Sequence, residues 1–289
     1  MKPVLIALAA ALGLSPLGAA AQTAPAPTAG DWRVIAPENL LVIDSSKGRI
    51  LVELEPRAAP AHVQRIRTLA DQGFYDGHKF HRVLTGFMAQ TGDPLGTGAG
   101  GSDLPDIAAE FTFRRGRDAG FAAIEGGIPD AVSGLVGSLP VQTQPDAQMM
   151  VTADFRTDAS GLFCTGVLGM ARAGDPNSAN SQFFLMMGNN AVLNGQYTAF
   201  GRVLQGLDVV QSLKAGPEAE DGRVAVDPDT MTRVRTAAAL PEGERPVARV
   251  LDARSPAYQA RIADLRATRG RQFSVCDAQP VVEVTGSLS

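Results

Sequence analysis

The sequence predicts a mainly β protein, folded as a closed antiparallel barrel or as a sandwich. Short runs of β-branched and aromatic residues recur along most of the chain, separated by turns rich in Gly and Asn. Helical periodicity is confined to a few short segments, and the chain contains 31 glycines. Many short strands joined by tight turns are typical of both architectures.

The first elements are a predicted hairpin and a helix. In NLLVIDSSKGRILVELEP, two aliphatic runs flank a turn signal at 45–48. The alternation of Ile50, Val52 and Leu54 with their neighbours predicts a hairpin with one buried face. Apolar residues then recur at helical spacing over 58–72, and a glycine ends this predicted helix.

Further strands are predicted where apolar residues cluster between turns. They are HKFHRVL, GFMAQTGD, CTGVLGMAR, SQFFLMM and YTAFGRVL. A second short helix is predicted over 207–214. Residues 104–163 show little periodicity, and a stretch of this length is usually a functional loop or an insertion with its own short elements.

The C-terminal part contains two candidates for the strand that completes the barrel. We expect MTRVRTAA to take this place rather than FSVCDAQPVV. Another strand, VARVLD, precedes a helix predicted over 256–268. A last strand is predicted around FSVCDAQPVVEV.

Residues 1–21 predict a signal peptide. Lys2 is followed by an apolar segment over 4–14, and the alanines at 19–21 match a cleavage site. The apolar segment is too short and too rich in Ala for a stable membrane span, although a membrane anchor or a buried helix is the alternative. A Pro/Ala-rich linker is predicted over 22–36. We therefore expect an exported, periplasmic protein without a membrane span after cleavage.

Composition and cysteine content narrow the class of protein further. The chain is 45% hydrophobic and 19% charged, with a formal net charge of −4, as in an ordinary soluble globular protein. This mild acidity argues against a nucleic-acid-binding surface, which requires clustered Lys and Arg. An oxidising compartment permits one disulfide between Cys164 and Cys276, whereas two unpaired buried thiols are the alternative.

Three separated segments resemble the cyclophilin-type peptidyl-prolyl cis-trans isomerases. They are FHRVLTGFMAQTGDPLGTGAGG, GVLGMARAGDPNSANSQFFLMM and VLNGQYTAFGRVLQGLDVV, in the order that the family has them. The resemblance extends over 39–214, interrupted by 104–163. It implies a closed eight-stranded antiparallel barrel with two capping helices, formed by residues 37–240. Residues 241–289 are then an extension that we expect to pack on this barrel.

The resemblance also implies which residues form the site. Arg82 matches the catalytic arginine, with Phe87 and Gln90 beside it. The positions that match the substrate-binding groove are Met88, Ala171, Arg172, Ala173, Gln182, Phe184, Val192, Leu193 and Tyr197. The family's activity requires neither a cofactor nor a metal, and it acts on proline-containing polypeptides. We expect a monomer that assists the folding of exported proteins.

The chemistry of the X-Pro bond explains why such residues suffice. Rotation must break amide resonance, which imposes a barrier of ~20 kcal/mol but requires no nucleophile. Arg82 would donate to the prolyl nitrogen, whose lone pair is available only in the twisted state. Phe87 and Met88 would hold the proline ring. Read alone, these apolar residues would more often be barrel core, and Arg82 would most often be a solvated surface arginine; the spacing across the three motifs favours the functional interpretation. His81 is expected to be structural, because the reaction transfers no proton.

Three positions depart from the family's familiar eukaryotic members. Val192 replaces a tryptophan associated with tight cyclosporin binding, so we expect weak inhibition by that drug. Tyr197 replaces a histidine, and Arg172 stands where an asparagine is common. The region 104–163 follows the groove-side GTGAGG turn, and we expect it to wall or partly cover the cleft. The alternative function is a proline-peptide-binding or chaperone-like module with little turnover. A hydrolase lacks any nucleophile and base set.

Overall fold

The computed structural model describes residues 26–128 and 131–286. The predicted signal peptide over 1–21 and the first part of the predicted linker lie outside these residues. No helix within the described ranges is long and apolar enough to cross a bilayer.

Strands dominate the described part of the chain, and three α-helices accompany them. The helices are α1 (Pro60–Asp71), α2 (Leu207–Gln211) and α3 (Pro256–Arg269). The strands are β1 (Trp32–Val34), β2 (Leu40–Ser45), β3 (Gly48–Leu54), β4 (Arg82–Leu84), β5 (Met88–Thr91), β6 (Phe113–Arg115), β7 (Ala122–Ile128), β8 (Ala131–Val136), β9 (Leu139–Thr143), β10 (Thr157–Gly161), β11 (Val167–Met170), β12 (Phe183–Met186), β13 (Ala199–Gln205), β14 (Met231–Thr236), β15 (Val247–Leu251) and β16 (Val282–Thr285).

The main sheet is antiparallel and has eight strands in the order β14-β2-β3-β13-β11-β12-β5-β4. It is open between β4 and β14, so the prediction of a closed barrel is wrong. The reason lies at the outer edge of β4. There the loop that precedes β14 in the chain, rather than β14 itself, makes hydrogen bonds to β4. Val83 donates its N–H to the carbonyl of Gly222 over 2.8 Å and accepts from Gly216 over 3.1 Å. An isolated bridge between Lys79 and Thr230 spans part of the remaining gap.

The inner face of this sheet holds a continuous apolar core. Ile43, Ile50 and Val52 contribute to it, and α1 and α2 pack against them. Helix α1 begins at Pro60, where a missing N–H costs nothing. Glu110 accepts hydrogen bonds from the N–H groups of Ala61 and His62, which satisfies donors that the first turn leaves open.

The outer face is buried as well, so the prediction of a single buried hairpin face is wrong. A three-stranded sheet in the order β1-β15-β16 covers β2 and β3. Leu51 is consequently 1% exposed, and Glu53 is paired there with Arg33. β1 lies within the region predicted as linker, and β14 corresponds to MTRVRTAA, which joins the main sheet as its edge strand. β16 begins at Val282, the last residue of FSVCDAQPVV, and belongs to the smaller sheet.

The region 104–163 forms a five-stranded sheet in the order β6-β10-β9-β8-β7. Together with α3 it packs on the outer face of the main sheet around β11 and β12. Cys164 and Cys276 are joined by a disulfide with a Cα–Cα distance of 5.1 Å, which ties the C-terminal extension to the start of β11. Arg202 is fully buried at this junction and donates to the carbonyls of Ser138 and Ala278, and burial lowers its pKa to about 10.

Candidate active site

Strand register brings the predicted catalytic residues onto the outer face of one sheet edge. Arg82 on β4 lies opposite Gln90 on β5, and Gln90 lies opposite Phe184 on β12. Because side chains alternate along a strand, Met88 shares this face with Gln90. The intervening residues of these strands point into the core instead, as the buried Ala89 shows.

A pocket of about 180 Å³ opens on this face, and because most of its lining side chains are apolar or aromatic we call it the apolar pocket. Its lining residues come from four separate segments of the chain: Arg82, Phe87, Met88, Gln90, Ala171, Arg172, Phe184, Leu193 and Tyr197. Phe184 is 5% exposed, stacks on Phe163 and meets Tyr197 edge to face. Its ring is therefore held in place on two sides, as the floor of a pocket for a small apolar ring requires.

A chain of side-chain hydrogen bonds, which begins at Gln90 on β5, holds one side of the Arg82 guanidinium. Its Nη1 donates to Oε1 of Gln90 over 3.2 Å, and Gln90 donates to Oε1 of Gln182 over 2.9 Å. Gln182 in turn donates to the carbonyls of Gly98 and Gly100 over 3.0 and 2.7 Å. The network ends on main-chain atoms, which fixes the orientation of both amide side chains.

Asp93 holds the loop that receives this network. Its carboxylate accepts the N–H groups of Leu95, Thr97 and Gly98 at 2.6–2.8 Å. Burial alone would raise the pKa of Asp93, but these backbone hydrogen bonds lower it below its ordinary value. Asp93 therefore stays ionised at neutral pH and keeps the loop closed around the end of the network.

The other edge of the Arg82 guanidinium contacts Asp221, which the sequence did not suggest as a site residue. Nη2 of Arg82 lies 2.7 Å from Oδ1 of Asp221, and the pairing lowers the pKa of that carboxyl. Asp221 lies between α2 and β14, in a segment without periodicity and outside the three segments that carry the resemblance. No signal in the sequence links it to Arg82.

A second, more polar cavity of about 360 Å³ adjoins the apolar pocket. The two share Gln90, Ala171 and Arg172, so they form one groove across the sheet edge. Gln182 and Ala173 line the second cavity rather than the apolar pocket. Within the described ranges the main chain of Arg172 makes no hydrogen bond, although its neighbours Ala171 and Ala173 both donate to protein acceptors. An extended peptide could pair with Arg172 there.

The Arg172 side chain is held at the opposite side of the groove. Its guanidinium lies 4.6 Å from the ring centroid of Tyr197 and 5.6 Å from that of Phe111. It also donates to the carbonyls of Gln196 and Ala173. These contacts hold a positive charge where the apolar pocket and the polar cavity meet, since Arg172 lines both.

Val192 lies apart from the other predicted groove residues. It is 80% exposed and does not line either cavity, whereas the adjacent Leu193 lines the apolar pocket. Asn190 accepts the N–H of Val192, and Asn194 accepts the N–H of Phe163. The turn is therefore anchored, with Val192 at its outer rim.

The start of the insertion, rather than its sheet, reaches the groove. Asp106 lines the polar cavity, and Phe111 contacts Arg172. The strands from β6 to β10 pack against the same outer face of the main sheet, beside the groove.

Neither a metal site nor a proton-transfer set accompanies these residues in the part of the chain that the structure describes. No group of three or more His, Cys, Asp or Glu side chains is placed there to hold a metal ion. His81 is 5% exposed, and burial lowers its pKa, so it is neutral at pH 7. The groove thus presents two guanidiniums, those of Arg82 and Arg172, together with side-chain amides and an apolar pocket.

Comparison with known proteins agrees with this geometry. The family model described as cyclophilin type peptidyl-prolyl cis-trans isomerase/CLD matches residues 40–236. A probable peptidyl-prolyl cis-trans isomerase of Brucella suis biovar 1 is 36% identical over 208 residues, which cover 68% of this chain and 82% of the relative. Peptidyl-prolyl cis-trans isomerase-like 1 of Neurospora crassa is 30% identical over 187 residues, covering 65% and 88%.

A solved structure extends the likeness beyond the family segment. The cyclophilin AquaCyp293 from Hirschia baltica has a TM-score of 0.79 and 34% sequence identity, covering 89% of this chain and 94% of its own. Its coverage includes more of the chain than the family model spans. The chain therefore belongs to the cyclophilin-type peptidyl-prolyl cis-trans isomerases, enzymes that interconvert the cis and trans forms of X-Pro bonds.

Proposed function

We propose that this cyclophilin accelerates X-Pro isomerisation in exported proteins during their folding, with Arg82 stabilising the twisted amide. One observation carries this proposal. The Arg82 guanidinium borders the apolar pocket and is held by Gln90, so a donor is fixed beside the place where a proline ring fits. A fixed donor of this kind lowers a barrier without forming a covalent bond.

The pocket and the donor have separate tasks in this mechanism. Phe87, Met88 and Phe184 hold the pyrrolidine ring while the preceding carbonyl rotates. Rotation removes amide resonance and localises a lone pair on the prolyl nitrogen. An N–H of Arg82 donates to this lone pair, which the planar ground state does not offer. The interaction is thus stronger in the transition state than in the bound substrate, and only such differences accelerate a reaction.

The substrate main chain would lie along Arg172. Its unbonded N–H and carbonyl can pair with an extended peptide, in the way that a strand adds to a sheet edge. The adjoining polar cavity would then receive residues that precede the proline.

The client class rests on two features away from the groove. The predicted signal peptide implies export to the periplasm, and a disulfide between Cys164 and Cys276 is the state favoured in an oxidising compartment. We propose that the exported chain acts as a monomer. Expression of the full chain in a bacterium, followed by fractionation and N-terminal sequencing, tests the proposed export and the cleavage of the signal peptide. A periplasmic product that begins at Gln22 is expected, and a cytoplasmic product that retains Met1 would contradict it.

The role of Arg82 is tested by a protease-coupled assay on a short X-Pro peptide. Arg82→Ala should lower kcat/KM by about 10²–10³-fold, as removal of a transition-state donor does in other enzymes. Arg82→Lys keeps the charge but loses the planar fork, and it should recover little activity. Circular dichroism and thermal unfolding serve as the folding control. Near-wild-type turnover in a folded Arg82→Ala protein would refute this role.

A proline-peptide-binding module with little turnover is the second candidate. Asp221 favours it, because a carboxylate paired with Arg82 partly neutralises the donor's charge. Exchange spectroscopy by NMR on the same peptide separates the two. Peptide binding without accelerated cis–trans exchange would support the module, whereas accelerated exchange supports the enzyme.

A further inference from the structure

We propose that Asp221 is a positioning residue that fixes the guanidinium of Arg82 in its working orientation. This inference rests on the proposed catalytic role of Arg82. Asp221 lies outside the three segments that carry the resemblance, and 139 residues away from Arg82 along the chain.

Asp221 contacts one complete edge of the guanidinium. Nη2 of Arg82 donates to Oδ1 over 2.7 Å, and Nε donates to Oδ2 over 3.1 Å. Nε also lies 3.0 Å from the main-chain carbonyl of Asp221. Two parallel bonds to one carboxylate define the plane of the guanidinium as well as its position.

The loop that carries Asp221 is itself attached to the strand that carries Arg82. Val83 donates to the carbonyl of Gly222, and Val224 donates to the carbonyl of His81. A Cβ at position 222 would meet Cγ of Leu84 at 2.6 Å, so this close approach requires glycine. The carboxylate is therefore held at a set distance from the base of the Arg82 side chain.

The backbone of Asp221 adds a second sign of constraint. Its φ is +53°, in the left-handed region that residues other than Gly, Asn and Asp rarely adopt. Its N–H bonds the carbonyl of Glu218, which closes the tight turn that imposes this conformation. An aspartate tolerates the conformation and directs its carboxylate at Arg82.

The remaining donors of Arg82 follow from a count. A guanidinium carries five N–H groups. Asp221 takes the one on Nε and one on Nη2, and Gln90 takes one on Nη1. One N–H is left on each terminal nitrogen. The one on Nη1 meets only the weak acceptor Sδ of Met88, 3.9 Å from Nη1, and the one on Nη2 has no further partner among the described residues, so both remain available to the substrate. Without Asp221 the long side chain could rotate about its own bonds, and these two donors would lose their common direction.

The pair contributes little to stability, so its role lies in geometry. The Arg82 side chain is 30% exposed and that of Asp221 is 76% exposed, and exposed ion pairs stabilise proteins weakly. The pKa of Asp221 is lowered by its hydrogen bonds to Arg82. The carboxylate is consequently ionised at neutral pH, and the pair is lost only in acid, as the pH falls through that lowered pKa.

Three variants test the proposal. Asp221→Gly removes the carboxylate and still permits a positive φ, so it avoids the backbone strain that an alanine would introduce. Asp221→Asn keeps an acceptor oxygen and also tolerates this conformation. Glu220→Gln removes one charge from the same loop, and in the described residues the Glu220 side chain makes no hydrogen bond or ion pair. It is the matched control for net charge.

The variants are measured with an uncharged X-Pro peptide, separating kcat from KM. Asp221→Gly should lower kcat about fivefold, the factor that corresponds to an exposed ion pair. Asp221→Asn should recover part of this loss, and Glu220→Gln should leave kcat unchanged. NMR of the Arg82 Nε–H provides a readout independent of turnover, because its signal should move toward that of free arginine in Asp221→Gly alone.

The outcomes separate this proposal from the one on which it rests. If Arg82→Ala is fully active, the catalytic role of Arg82 fails. If Arg82→Ala is inactive while Asp221→Gly keeps wild-type kcat and an unchanged Nε–H signal, the positioning role of Asp221 fails. Higher activity in Asp221→Gly would also overturn it, because Asp221 would then restrain the arginine rather than place it.

Discussion

The two sides of the groove are built differently. The near wall (Arg82, Phe87, Met88 and Gln90) stands on or beside the paired strands β4 and β5, and its polar atoms bond to one another and to Gln182. The far wall (Arg172, Leu193 and Tyr197, with Val192 at its rim) stands on segments that follow β11 and precede β13.

We interpret the near wall as the side that carries the catalytic donor and the far wall as the side that recognises the substrate. A donor for a twisted amide must be placed to within a fraction of an ångström, and hydrogen-bonded strands provide this rigidity. Residues on connecting segments can change without disturbing the sheet. The near wall matches the family motif throughout, whereas the departures at Arg172, Val192 and Tyr197 all fall on the far wall. Changes to the two walls should therefore have different effects.

The largest expected effect comes from the disulfide, which anchors the segment behind the far wall. Replacing Cys164 and Cys276 by serine removes a crosslink between residues 112 apart in sequence, which should destabilise the fold by about 4–5 kcal/mol if chain entropy dominates. Urea unfolding measures this loss. At 25 °C the folded variant should show a raised KM with nearly unchanged kcat, because Phe163 supports the far wall. A large loss of kcat would show that the two walls are not independent.

Within the near wall, Gln90→Ala should lower kcat about tenfold, the factor for ~1.4 kcal/mol, because Arg82 loses its brace. Gln182→Ala removes the support of Gln90 without touching Arg82, and it should cost about threefold in kcat. Steady-state kinetics on one peptide compares the pair. Equal losses would mean that the network acts as one unit.

On the far wall, Arg172→Ala should change kcat/KM for an uncharged peptide by less than about twofold, since its main chain remains. With peptides that carry an acidic residue before the proline, the variant should lose about fivefold more than with basic ones. Competition between the two peptides measures this preference. An equal effect on both would show that the charge of Arg172 does not influence selection.

The smallest effect on catalysis is expected at the rim. Val192→Trp should leave kcat/KM unchanged, because Val192 is 80% exposed and lines neither cavity. It should nevertheless strengthen inhibition by cyclosporin, for which the native chain is expected to have low affinity. Inhibition titrations compare the two proteins. Submicromolar inhibition of the native chain would contradict the expectation.

The strands that carry the near wall could be predicted because their motifs are short, local and chemically specific. The pairing of Cys164 with Cys276 was one of two alternatives, since sequence cannot supply the distance between two cysteines. The identity of β14 could be inferred from its β-branched pattern. These features depend on residues close together in the chain or on residue types with few uses.

Other features depend on contacts that no local pattern records. The alternation along β3 predicts one exposed face, but Arg33 and the smaller sheet cover that face. The main sheet does not close into a barrel because a loop makes hydrogen bonds to β4. A loop has no periodicity from which such pairing could be predicted. Asp221 could not be predicted as a site residue for the same reason, because it lies in a loop. Its partner is defined by tertiary structure alone.

The loop bonded to β4 affects which other polypeptide chains can pair with this edge of the main sheet. An unpaired strand edge invites other chains to add to it, and unfolded polypeptides are the chains most able to do so. A peptidyl-prolyl isomerase with such an edge beside its groove would risk aggregating with the polypeptides that it binds. Gly222 accepts the N–H of Val83 and Gly216 donates to its carbonyl, so the edge of β4 that borders the groove is closed to such pairing.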